Sequence, residues 1–178
     1  MKVLAVGLLL SASPALIPNQ PVQAGSGRCV MANLAIRLAD QPTPTTGAHP
    51  LALRLINRGT AACVLNGYPQ VALSDARGTI PFVYLHHGDM MVTSRAPARL
   101  LSRPGDSAYV LLDKFRCDLG ERRVGTSVQV WLEGSKTRSR PIGVLAERIS
   151  LCKPGIAAEG RVVNVSPFER TLRATLNH

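Results

Sequence analysis

Short apolar runs with a period of two recur along the chain, separated by turn-forming residues. Leu34, Ile36 and Leu38 alternate with Ala35 and Arg37, the pattern of a half-buried strand. Leu51, Leu53 and Leu55 share one face while Arg54 points away, and Val128, Val130 and Leu132 alternate with Gln129 and Trp131. Further strands are expected at residues 63–65, 71–73, 80–85, 108–112, 142–145 and 162–165. Asn57-Arg58-Gly59, Asn66-Gly67-Tyr68-Pro69 and Arg103-Pro104-Gly105-Asp106 supply turns between them, and Asp75-Ala76-Arg77-Gly78 reads as a hairpin turn. Thirteen prolines and fifteen glycines leave little room for long helices. Roughly eight or nine short strands at close spacing predict an all-β fold, a two-sheet antiparallel sandwich of immunoglobulin-like outline.

The ends of the chain read differently from its middle. Lys2, the apolar run Val3 to Leu10 and the small residues of Val22-Gln23-Ala24 form the pattern of a cleaved export signal over residues 1–24. The run is too short to span a bilayer and is followed by Pro14 and Pro18, so no transmembrane segment is expected in the mature chain. Residues 25–168 are expected to form one domain, and 169–178 a basic tail that frays, although Leu172 and Leu176 share a helical face.

Composition adds a charge argument. The chain carries +10, one unit of it from Lys2, and seventeen of its twenty-one basic residues are arginine. Such a balance favours anionic partners such as envelope polymers. Arg95, Arg99 and Arg103 lie close in sequence, as do Lys136, Arg138 and Arg140, and both groups are candidates for an anion or partner surface. No stacking aromatics are interleaved with these arginines, so nucleic-acid binding is not expected.

Cys29, Cys63, Cys117 and Cys152 follow the export signal, an even count that predicts two disulfides in an oxidising compartment. Of the three possible connectivities the sequential one, Cys29–Cys63 and Cys117–Cys152, is expected: Cys29 opens the first strand and Cys63 follows the second across a short turn. No Cys-x-x-Cys pair occurs, which disfavours zinc and thioredoxin-like chemistry.

The order Cys63-Val64-Leu65-Asn66-Gly67-Tyr68-Pro69, then Val71-x-Leu73, the Asp75 to Gly78 turn, the Leu101 to Ala108 segment and the later cysteines resembles a known pattern. It is similar to a domain-of-unknown-function family of exported actinobacterial proteins built around a Cys-x-Leu-x-Gly-Tyr-Pro segment, over roughly Arg28 to Pro167. The resemblance implies a disulfide-bonded β-sandwich outside the cytoplasm and no established activity. Some members are lipoproteins; here Ser26-Gly27-Arg28 precedes Cys29 and lacks the acylation pattern.

Candidate chemistry is sparse. His86, His87, Met90 and Met91 flank Gly88-Asp89 and offer imidazole and thioether ligands for copper, with His49 as a further ligand if its loop lies nearby. The bland reading is that the methionines cover the sandwich end and the histidines are solvated. No nucleophile elbow, metalloprotease helix or phosphate-binding glycine loop occurs, and the carboxylates fall mostly in predicted turns. The chain is therefore expected to be no enzyme and to need no cofactor. It reads as a secreted or cell-envelope-associated binding module whose partner is an anionic envelope polymer or another protein. Copper binding through the 86–91 loop is the first alternative, and a secreted inhibitor or host-interaction protein the second.

Overall fold

Alternation decides which side of each strand is buried. In β2 (Leu51–Asn57), Leu51, Leu53 and Leu55 are almost fully buried while Arg54 between them is exposed. Their neighbours Ala108, Val110 and Leu112 on β8 (Ser107–Asp113) point the same way. Each such leucine contributes about 1.5–3 kcal/mol by leaving water.

A computed structural model describes residues 27–45, 47–144, 149–154 and 158–177. The expected export signal, Leu145 and His178 lie outside the described residues. The remaining strands are β1 (Leu34–Leu38), β3 (Cys63–Leu65), β4 (Gln70–Asp75), β5 (Gly78–Thr79), β6 (Val83–Leu85) and β7 (Leu100–Ser102). They continue as β9 (Glu121–Val124), β10 (Ser127–Trp131), β11 (Ile142–Gly143), β12 (Ser150–Cys152) and β13 (Val162–Val165). A single-turn helix, α1 (Leu172–Thr175), comes last.

A five-stranded sheet in the order β1-β2-β8-β13-β6 faces a four-stranded one in the order β11-β10-β4-β5, and two short ladders, β12-β9 and β3-β7, flank them. Val71 and Leu73 on β4 and Val128 and Val130 on β10 meet the inner face of the larger sheet in one core. The expected all-β, antiparallel, disulfide-stapled fold is what forms. One pair departs from the antiparallel pattern: β6 runs parallel to β13.

Pro81 explains that departure. Residues 80–85 are apolar enough to read as one strand, but proline has no N–H to give a ladder. The chain leaves the smaller sheet after β5, buries Ile80 and Phe82 on either side of Pro81, and joins the larger sheet as β6.

The disulfides are Cys29–Cys63 and Cys117–Cys152, as the sequence order suggested. The first ties the chain entry to β3, where Cys29 N–H also donates to the Val64 carbonyl at 3.0 Å. The second ties the segment before β9 to β12.

The tail corrects the expectation of a frayed end. Thr171 caps α1 by accepting from the Ala174 N–H at 3.2 Å, and Thr175 is fully buried. Leu172 and Leu176 pack on a second, smaller core of Ala48, Ala52, Met91, Val92 and Leu111, on the outer face of the larger sheet. The shared face of the two leucines is what docks it.

Candidate functional site

The outer face of the larger sheet carries an unusual polar spot. Strand alternation turns Val163 and Val165 inward, so Asn164 faces outward; likewise Asp113 follows the inward Leu112. The register of β8 and β13 sets Asp113 directly opposite Asn164, and Leu85 of β6 stands on the far side of Asn164. Asp113 is only 4% exposed. Its Oδ1, and the Oδ1 of Asn164, are buried without a hydrogen-bond partner.

These groups form the floor of a cleft of about 320 Å³. One wall is the bridge between Ala48 and Phe115, closed by the His49 N–H donating to the Lys114 carbonyl at 2.9 Å. Gly47 is needed there: its φ is +82°, and a Cβ would lie 2.6 Å from the Phe115 ring. The roof is the loop that carries His87, Asp89 and Met90.

That loop is held by its own turn chemistry. Asp89 Oδ1 accepts from the N–H groups of Met91 and Val92 at 2.8 and 2.6 Å, and the Asp89 N–H donates to the Val92 carbonyl at 3.0 Å. Gly88 has φ +78°, and any Cβ would meet Ser94 and Val92 backbone within 2.9 Å. From the tail, Asn177 Nδ2 donates to the Asp89 carbonyl at 2.7 Å, and Asn177 N–H to the Met91 carbonyl at 2.8 Å. The docked C-terminus therefore positions the cleft's roof.

Electrostatics inside the cleft are governed by the two carboxyl groups. Burial pushes the Asp113 carboxyl up to about 7, and the neighbouring Asp89 carboxylate, within hydrogen-bonding reach, adds to the shift. Asp113 thus holds its proton into the neutral range. Behind them Lys114 is buried beside the second disulfide: its Nζ donates to the Phe115 carbonyl and lies 3.1 Å from Cys152 Sγ. Burial lowers its pKa to about 8, against the pull of Glu121.

The four candidate copper ligands do not converge. The His86 ring stacks on Tyr68 with centroids 4.2 Å apart, and the Tyr68 hydroxyl donates to the His86 carbonyl at 3.1 Å. Met91 is buried in the outer core, whereas His87 and the exposed Met90 lie at the cleft. His49 has its backbone engaged by Lys114 on the cleft wall. Among the described residues no three His, Cys, Asp or Glu side chains form a metal-binding group.

The candidate anion-binding residues Arg95, Arg99, Arg103, Lys136, Arg138 and Arg140 are all exposed, and none joins the ion pairs formed among the described residues. Arg138 lies over the Trp131 ring, 4.3 Å from its centroid. Sequence reasoning missed one basic pair: Arg37 and Arg54 stand opposite each other in register on β1 and β2, both exposed. The alternation of both strands carried that signal, since each arginine falls on the polar side.

Fold and site together define a disulfide-bonded β-sheet domain with exposed arginines and an acidic cleft. Residues 29–169 match the domain of unknown function DUF4232, and the chain belongs to that family. No curated protein and no solved structure matches it at a significant level. No helix among the described residues is long and apolar enough to cross a membrane.

Proposed function

We propose that this domain is an exported, non-catalytic binding module of the cell envelope that grips anionic polymer through its arginines. The observation that carries the reading is Arg37 facing Arg54 across β1 and β2. Like charges directly opposite on antiparallel strands destabilise the pair, and an anion between them relieves the repulsion. Arg54 donates from Nε to Ser107 Oγ at 2.9 Å, which orients its guanidinium without neutralising it.

The exposed Arg95, Arg99, Arg103, Lys136, Arg138 and Arg140 extend the same chemistry over other loops. Arginine suits phosphate and carboxylate groups because its planar fork binds two oxygens at once. The disulfides fit an oxidising compartment, and the signal-like residues 1–24 supply the route there.

The test is sedimentation of the mature protein with isolated envelopes across a salt series. Retention should fall steeply with salt, and Arg37→Gln with Arg54→Gln should weaken it further at low salt. Retention that ignores salt, or none at low salt, overturns the reading.

A further inference from the structure

The acidic cleft asks for a ligand of the opposite sign to the one its exterior would hold. Burying a polar atom without a partner is costly, and native folds rarely carry two side by side. Here Asp113 Oδ1 and Asn164 Oδ1 are both unpaired, on one floor, beneath the Asp89 carboxylate.

Once Asp113 gives up its proton, all three groups are acceptors. Asp113 and Asp89 offer carboxylate oxygens, and the Asn164 atom in question is its amide oxygen. The complement is a group with several N–H donors and a positive charge. A primary ammonium has three donors and no acceptor. The rest of the cleft is apolar: Leu85 and Val162 on the floor, Phe115 on the wall and Met90 at the mouth. Phe115 and Met90 are 43% and 62% exposed, large hydrophobic surface left open to water at the cleft's entrance.

A bare dication fits less well. Calcium takes about six to eight oxygen ligands, and magnesium demands a near-octahedral set. One oxygen of Asp89 is already taken by two backbone N–H groups. His87 Nδ1 sits 2.9 Å from the Gly88 carbonyl, which leaves that nitrogen occupied. The cleft's 320 Å³ is also room for an organic body rather than a single ion.

We propose that the cleft between β8, β13 and the 86–92 loop binds a small primary amine. Its ammonium is held by Asp113, Asn164 and Asp89, and its apolar body lies against Phe115, Met90 and Val162. The ammonium takes the place of the Asp113 proton, so the site's net charge is unchanged on binding. The site is separate from the arginine surface, and either proposal can fail without the other.

The experiment is an NMR titration of the mature protein with phenethylamine, followed at the amides of His87, Asp89, Asn164 and Phe115. Parallel titrations use 2-phenylethanol and calcium chloride. Saturable shifts confined to these residues are expected with phenethylamine, with much weaker ones for the alcohol and none for calcium. Asp113→Asn keeps the shape and should weaken the amine at least about tenfold, the worth of one charge-assisted hydrogen bond. If that variant fails to fold, Asn164→Leu and Phe115→Ala make the same comparison from the other acceptor and the apolar wall. Saturable calcium binding at these amides, equal affinity for amine and alcohol, or unmoved amides at millimolar amine each overturns the proposal.

Discussion

Asp113 and Asn164 stand directly opposite each other on β8 and β13, each with a side-chain oxygen buried and unpaired. The pairing is a consequence of register: a slip of β13 by one residue would turn Asn164 into the core and take it from Asp113. It sets two buried, unpaired oxygens side by side and, through Asp113, ties the domain's stability to pH.

Asp113 has its carboxyl pKa raised from 3.8 to about 7 by burial and by Asp89, so the folded domain holds a proton that the unfolded chain releases. The resulting stabilisation is full below pH 3.8 and is lost as pH rises through about 7. Urea unfolding at about pH 4.5 and about pH 7.5 should show lower stability at the higher value, with a slope of at most about 1.4 kcal/mol per pH unit from this group. Burial raises Glu169 in the same sense and lowers His86 in the opposite one, so the Asp113→Asn variant isolates the carboxyl's share as the difference between the two profiles. Lys114, lowered to about 8, acts in the alkaline range instead. A profile unchanged by Asp113→Asn would remove the buried carboxyl as its source.

Asn177 links the C-terminus to the cleft's roof by bonds to the Asp89 and Met91 carbonyls. Asn177→Ala keeps its backbone bond and loses the side-chain one, for about 0.5–1.5 kcal/mol. Hydrogen exchange should quicken at the Met91 and Val92 amides more than in β2 or β8. Uniform quickening across the domain would mean the tail supports the whole fold rather than this loop.

Arg123 joins pieces that are distant in sequence. Its guanidinium binds both oxygens of Asp75, with Nε to Oδ2 at 2.8 Å, and donates to the Gly78 and Thr79 carbonyls at 2.9 and 3.0 Å. The Asp75 carboxyl is held well below the usual range, chiefly by that hydrogen bond. Its contribution is present above pH 3.8 and lost as pH falls below it, so the wild type should unfold in acid at lower pH than Arg123→Ala. Arg123→Lys keeps the charge but loses the fork, and should behave nearer to alanine than to arginine. Coincident acid transitions for all three would discount the pair.

Each disulfide closes a loop of similar length, with separations of 34 and 35 residues. Replacing either pair by alanine should cost on the order of 3–4 kcal/mol. The Cys117–Cys152 pair has an added consequence, because Lys114 Nζ lies against both sulfurs and loses that packing. Thermal melts of the two double-alanine variants and of the reduced protein check this; an unchanged melting temperature on reduction would exclude the stapling role.

Much of the frame was legible from period-two alternation, because one buried face per strand leaves its mark on local sequence. Leu51 to Leu55, Val128 to Val130 and Val162 to Val165 all fall where that pattern places them. The cysteines also declared themselves, since an even set without a metal spacing leaves few pairings. β9 and β12 left no such mark: Glu121 to Val124 is mostly polar, and the ladder is tied by the second disulfide and by the Ser150 hydroxyl donating to Glu121, while Arg123 fastens β9 to the β4–β5 turn.

Sequence alone determined the sheets' inner faces and the turns, which depend on neighbours a few residues away, and an even cysteine count pointed to the staples. Tertiary structure decided the rest. The strand exchange at Pro81 and the register of β13 against β8 set Asp113 beside Asn164, and the docked tail carried the 86–92 loop over both. Asp113 drew no notice in the sequence because its burial comes from β13 and a loop far away in the chain. A local pattern can show which way a side chain points, but what covers it depends on contacts between distant segments.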